Sequence, residues 1–144
     1  LYPIIQDQNF HDIKNKIMEA TLKNQNLKIT FTLLRYLFVI VPIVAGADKF
    51  FNLLTDWTQY INPALAEMWP FSLPVFMKIV GVIEIAAGLV VLKNATYGGY
   101  LVATWLVAIA LTLLAGFNFV DVAVRDLVMA VSAYCMARLS KIIS

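Results

Sequence analysis

Glu84 is the residue of this sequence best placed to do chemistry. It lies in an apolar run from about Leu73 to Leu92. Ten residues beyond Pro74 puts it about 15 Å along a helix, near the middle of a hydrocarbon layer. A carboxylate there must be protonated, paired or bound to something. Gly81, Glu84 and Gly88 share one helical face, and glycines on that face let a second helix approach closely. Two roles fit the residue. It is either a proton-accepting or ligand-binding carboxylate, or a buried group holding two helices in register.

Other charges fall at the edges of apolar runs. Asp48 and Lys49 lie toward the end of an earlier one, where Pro42, Gly46 and Lys49 share a face. That face is expected to turn Lys49 inward toward Glu84; the alternative is snorkelling outward to headgroups. Lys78, only about one turn into its run, is expected to snorkel. Asp121 and Arg125 are i,i+4 neighbours with the acid first, the favourable order at a helix start. Arg125 then either clasps Asp121 or meets the polar head of a ligand. Met129, Ser132 and Met136 continue that face, with Cys135 at its edge, while Asp126 lies on another and is expected to be solvated. Asp48, Lys49, Lys78, Glu84, Asp121 and Arg125 all lie toward the outward half of the layer, with Glu84 the deepest. They form a candidate buried polar network or ligand-binding site.

Much other chemistry is excluded. The single cysteine permits no intrachain disulfide, paired-thiol redox motif or thiolate metal site. The single histidine, His11, sits in a polar stretch, so no pair of histidines can hold a haem. No catalytic or metal-ligating constellation is apparent. A net charge of +2, with no dense basic run, gives no reason to expect nucleic acid as a partner.

The elements that must carry these residues follow from composition. Hydrophobic residues make up 61% of the chain and charged residues 14%, with a mean hydropathy of +0.79. Soluble domains carry about 25% charge and about 45–50% apolar residues. In 144 residues the surplus cannot all be buried, and lipid is the solvent that tolerates it. The pattern predicts an all-α integral membrane protein, a four-helix transmembrane bundle. Its spans are expected at about Phe31–Leu54, Leu73–Leu92, Tyr100–Phe119 and Val122–Ile142, each near the ~20 residues needed to cross. Gly98-Gly99 is expected to mark a tight connection.

Two domains of different character are expected. Residues 1–29 form a polar, basic tail, in which Ile13, Ile17, Ala20 and Leu27 recur at helical spacing between Lys14, Lys16, Lys23 and Lys28. This reads either as an amphipathic helix on a membrane surface or as an extended tail ordered by a partner. Residues 30–144 form the membrane domain. The first residue is Leu1 rather than methionine, which predicts residues upstream, and the polar opening does not resemble a signal peptide. The connection from Asn52 to Ser72 carries Trp57, Tyr60 and Trp69, side chains that favour the membrane interface. It is expected to be an interfacial connection with a short helix lying across one mouth of the bundle, not a fifth span, serving as an anchor or as a lid over a site. The four tail lysines, Arg35, Lys93, Arg138 and Lys141 fall on one side, which the positive-inside rule assigns to the cytoplasm together with both termini.

Arg35-Tyr36, the Ala45-Gly46-Ala47-Asp48-Lys49-Phe50 segment and the Gly81-Val82-Ile83-Glu84-Ile85-Ala86-Ala87-Gly88 segment resemble the DoxX/DoxD-like family of small bacterial four-helix membrane proteins. The resemblance covers about residues 31–142. It implies a multi-pass protein of the bacterial inner membrane and marks Gly46, Lys49, Gly81, Glu84 and Gly88, with Gly46, Gly81 and Gly88 in helix packing. Relatives in that family are associated with thiosulfate:quinone oxidoreductases, terminal quinol oxidases and membrane redox homeostasis. No intrinsic cofactor is expected, with quinone or lipid the candidate bound molecules; any redox role would need a bound quinone or a partner subunit carrying the metal or flavin.

Three functions are then expected in order. The first is an auxiliary, non-catalytic membrane subunit of a larger respiratory or quinone-linked assembly, with other membrane subunits and the lipid bilayer as partners. The second is a quinone-binding subunit of an oxidoreductase. The third is a small proton-coupled transporter centred on Glu84.

Overall fold

A computed structural model describes residues 2–144. It contains helices α1 (Tyr2–Asp48), α2 (Pro63–Met68), α3 (Leu73–Lys93), α4 (Ala95–Ala115) and α5 (Val120–Ile143), with a 3-10 turn at Trp57–Tyr60. No strand occurs among the described residues. Helices α1, α3 and α4 are long and apolar enough to cross a membrane. Ile79, Val82 and Leu89 on α3, and Leu101 and Leu111 on α4, point outward. Water would penalise such a surface and lipid would not. The chain is a multi-pass membrane protein whose outer face contacts lipid.

The long helices touch in a closed order, α1 on α3, α3 on α4, α4 on α5 and α5 back on α1. Small residues set the closest approaches. A methyl group at Gly46 would stand 2.5 Å from the Gly81 carbonyl oxygen, and one at Gly81 would stand 2.5 Å from that of Gly46. Gly88 sits against Ile43 and the Val39 carbonyl, and Gly99 sits against Ala133 and Ala137. Phe38, Val39, Ala87, Val91, Val102, Ala133 and Met136 fill the centre. One layer of side chains thus joins α1, α3, α4 and α5.

Helix boundaries follow local chemistry. Asn94 is the sole residue between α3 and α4; its N–H donates to the Val90 carbonyl and its side chain accepts from the N–H groups of Thr96 and Tyr97. This capping residue performs the reversal that the glycine pair was expected to perform. Gly98 and Gly99 lie inside α4, where Gly98 abuts the Val91 backbone and any side chain would collide with it. The span expected to open at Tyr100 therefore opens five residues earlier, at Ala95. At the other end of α1, the helix stops at Asp48 rather than near Leu54. Asn52 takes a left-handed conformation (φ 51°), and the Asp48 carboxylate accepts from the N–H groups of Leu53 and Leu54.

No break separates the tail from the first span. Residues 2–29 continue the helix of 30–48, giving α1 47 residues, or about 70 Å of helix. A hydrocarbon core is about 30 Å thick. From Tyr2 to Asn26 every described residue is exposed, and Leu27 is the first that is partly covered.

A candidate ligand site beneath the aromatic loop

Gly46 and Gly81 bring α1 and α3 together, and Lys49 and Glu84 each stand three residues beyond the glycine of their own helix. Lys49 Nζ lies 2.6 Å from Glu84 Oε2, with the two side chains 4% and 13% exposed. At that burial the pair is a charge-assisted hydrogen bond shielded from water. The Lys49 ammonium also lies 3.7 Å from the centroid of the Trp57 ring, within cation–π range.

Asp48 takes a different part from its neighbour. Its Oδ2 accepts from Trp57 Nε1 at 2.8 Å, and its carboxylate also caps Leu53 and Leu54. Three donors make it the clasp of the loop rather than a partner of Glu84. The aromatic loop is secured at its far end by Asn62, which donates to the Thr112 carbonyl at 2.8 Å and accepts from Ala64 N–H. Tyr60 packs on Phe119 with centroids 4.7 Å apart, tying the loop to the start of α5. Trp69 stacks against Phe71 and Phe76 instead, away from the Lys49 cluster.

Beneath this loop the helices enclose a cavity of about 490 Å³. Apolar side chains from α1, α3 and α4, including Phe38, Met77, Ala87, Val102 and Leu106, line most of it. Its polar wall is Lys49, Glu84, Trp105, Arg125 and Asp126, with Trp57 and Tyr60 at the loop side. Trp105 Nε1 is buried facing the Glu84 carboxylate, without a well-formed hydrogen bond to it. Such a donor is costly unless something polar in the cavity accepts from it.

Of the charged residues singled out in the sequence, the structure brings Lys49, Glu84 and Arg125 to the cavity. Asp121 is a correction. It is exposed and not among the lining residues, and among the described residues the ion pairs within 4.0 Å are Lys49–Glu84 and His11–Asp7. Asp126 stands in its place, half-buried on the cavity wall rather than solvated. The spacing of Val122, Asp126 and Met129, one helical face that lines the cavity, could have revealed it. Lys78 is exposed. Trp105 and Asn62 carried no sequence signal beyond their types.

At the opposite end of the helices, Arg35 donates to the Leu92 carbonyl at 2.5 Å, capping the last turn of α3. Cys135 is exposed and free, and among the described residues no group of acidic, histidine or cysteine side chains could hold a metal ion.

No protein-family model matches the chain, and neither a curated protein nor a solved structure shows significant similarity to it.

Proposed function

We infer that the chain is a four-span protein of the bacterial inner membrane that binds an amphiphilic ligand of the quinone class as a non-catalytic subunit of a redox assembly. The observation that carries this reading is Trp105 Nε1, buried beside the Lys49–Glu84 pair without a well-formed hydrogen bond, on the wall of an apolar cavity. A quinone ring offers two carbonyl acceptors, and Lys49, Trp105 and Arg125 are donors that suit them. The apolar remainder suits an isoprenoid chain. The DoxX-like segments around Lys49 and Glu84 support the same class of ligand. In this reading α5 is the fourth span despite its charges: Arg125, itself exposed, and Asp126 border the cavity, while Asp121 in the first turn and Arg138 and Lys141 toward the last stand near the helix ends, where snorkelling is short. The aromatic loop lies at the outer interface and both termini lie in the cytoplasm.

The test is quinone extraction from the chain purified in mild detergent. Near-stoichiometric quinone is expected from the wild type. Trp105→Phe and Glu84→Gln should each lower retention of an added short-tailed benzoquinone about tenfold, a change of about 1.4 kcal/mol. Retention unchanged in both variants would overturn the assignment.

A further inference from the structure

We propose that the exposed N-terminal half of α1 is one strand of a coiled coil whose other strand is an acidic amphipathic helix of a partner protein. The inference deepens the reading of the chain as an assembly subunit and is independent of what fills the cavity.

The argument begins with spacing. Phe10, Ile13, Ile17, Ala20, Asn24 and Leu27 follow one another at intervals of three and four residues without a slip. This is the a/d repeat of a heptad, and Phe31, Leu34 and Phe38 continue it in the same phase. The part clear of the bundle, Phe10 to Leu27, spans about two and a half heptads, and Phe31 and Leu34 carry the same phase to about three and a half where the chain's own helices take over the packing. The one polar position, Asn24, falls at a, where a single asparagine fixes register at some cost in stability.

The two halves of this seam have different fates. Phe31 and Leu34 pack against the central cluster and Phe38 is part of it. Phe10, Ile13 and Ile17 belong to the same seam and are 65%, 57% and 63% exposed. The tail thus extends an established helix-packing surface past the point where the chain's own helices end. A second strip, Met18, Leu22 and Ile29, lies on the opposite side and runs into Leu33, itself 67% exposed, not into the packed seam.

Charge selects the occupant. The e and g positions that flank the seam are Lys14, Lys16, Lys23 and Lys28, with threonine or asparagine at the others between residues 9 and 30. The acids Asp12 and Glu19 are both at c, away from it. Facing e/g charges set partner choice. A second copy in parallel register would place its Lys28 opposite Lys23, a like-charge contact that disfavours self-pairing. Glutamates at e and g of another helix would be matched to every lysine. An anionic membrane surface would also attract these lysines. Lying on it would require α1 to turn sharply where it leaves the membrane, yet the helix is unbroken and no glycine or proline occurs from Ile4 to Val41.

The probe is a synthetic helix of about 18 residues, matching the two and a half heptads from Phe10 to Leu27 that lie clear of the bundle. It carries isoleucine at a and d, one asparagine opposite Asn24 and glutamate at every e and g. Binding is measured to the full chain in phosphatidylcholine nanodiscs. The acidic helix should bind, weaken about tenfold or more with Ile17→Asp, weaken likewise with Lys16→Glu/Lys23→Glu, and lose affinity with salt. A helix with the same composition but its apolar residues out of register should not bind. Ile17 is exposed, so Ile17→Asp should leave thermal unfolding of the membrane domain unchanged. Equal binding of the scrambled helix would overturn the proposal. So would crosslinking of two copies through cysteine at Ala20 in a Cys135→Ser background, or burial of a label at Asn15 when phosphatidylglycerol is added and no helix binds. Absence of quinone from the wild-type chain, or retention unchanged in Trp105→Phe and Glu84→Gln, with peptide binding intact would refute the cavity reading alone.

Discussion

Lys49 and Glu84 meet because each stands one helical turn past the glycine at which its helix crosses the other. Gly46 and Gly81 remove the side chains that would hold α1 and α3 apart. The lysine on one helix and the carboxylate on the other then reach a 2.6 Å contact. Breaking a buried pair typically costs about 3–5 kcal/mol, because the remaining charge is stranded. Glu84→Gln and Lys49→Met should each lower thermal stability in detergent, and the double variant should lose less than the sum. Strict additivity would mean that the two groups are energetically independent.

The glycines make a separate prediction. Gly46→Ala and Gly81→Ala each push a methyl group against the backbone of the facing helix, which cannot rotate away. Each should cost about 1–3 kcal/mol and reduce the coupling between Lys49 and Glu84. Gly116→Ala meets only the Asn62 amide, at 3.3 Å, and should be nearly neutral. A Gly46→Ala protein as stable as the Gly116→Ala protein would contradict this packing.

Trp57 holds both Asp48 and Lys49. Trp57→Phe keeps an aromatic ring for the ammonium and removes the Nε1 donor to Asp48. Hydrogen bonds to charged groups are worth about 1.5–3 kcal/mol, so a loss near that range is expected. Trp57→Leu removes ring and donor together and should cost more. Protease sensitivity between Phe51 and Met68 should rise in the same order.

Two phenylalanines before α5 adopt left-handed backbone, Phe117 at φ 53° and Phe119 at φ 55°. Phe119 is held by Tyr60, whereas Phe117 is 88% exposed. A non-glycine residue in this region gives up about 1–2 kcal/mol. Phe117→Gly should recover up to about 1 kcal/mol of it and raise the melting temperature, while Phe119→Gly should not, since it forfeits the Tyr60 contact.

Whether α5 crosses the membrane has a topological readout. In a Cys135→Ser background, single cysteines at Gln59 and Ser144 are separated by α3, α4 and α5. If α5 crosses as proposed, the three crossings put them on opposite faces, and Gln59 should be the one labelled from outside intact cells. Labelling of both from one face would leave α5 on the surface.

The sequence made the crossing faces readable because glycine and charge recur at helical spacing: Gly46 with Lys49, and Gly81 with Glu84. The apolar run that becomes α3 was legible almost to the residue, since Pro74 and Lys93-Asn94 bracket it. Elsewhere a local rule was overridden. Gly98-Gly99 has the composition of a turn, yet contact with Val91 on α3 gives glycine another reason to be there. The polarity of residues 2–29 suggested a segment apart, but helix propensity without a breaker carried α1 through it. Asp126 reads as solvated in the sequence because membership of the cavity depends on how α5 rotates against α4, which pairwise spacing with Arg125 does not determine.

Asn94 leaves no slack between α3 and α4. With a single residue outside helical conformation, neither helix can complete its passage into a bilayer while the other waits in water. They should enter during synthesis as one hairpin, late, after α4 has emerged. A translation-arrest force profile would then show one broad pulling event for residues 73–115 in place of two. Lengthening the joint with a flexible Gly-Ser insert after Asn94 should split that event, so that one residue sets the order in which this protein is built.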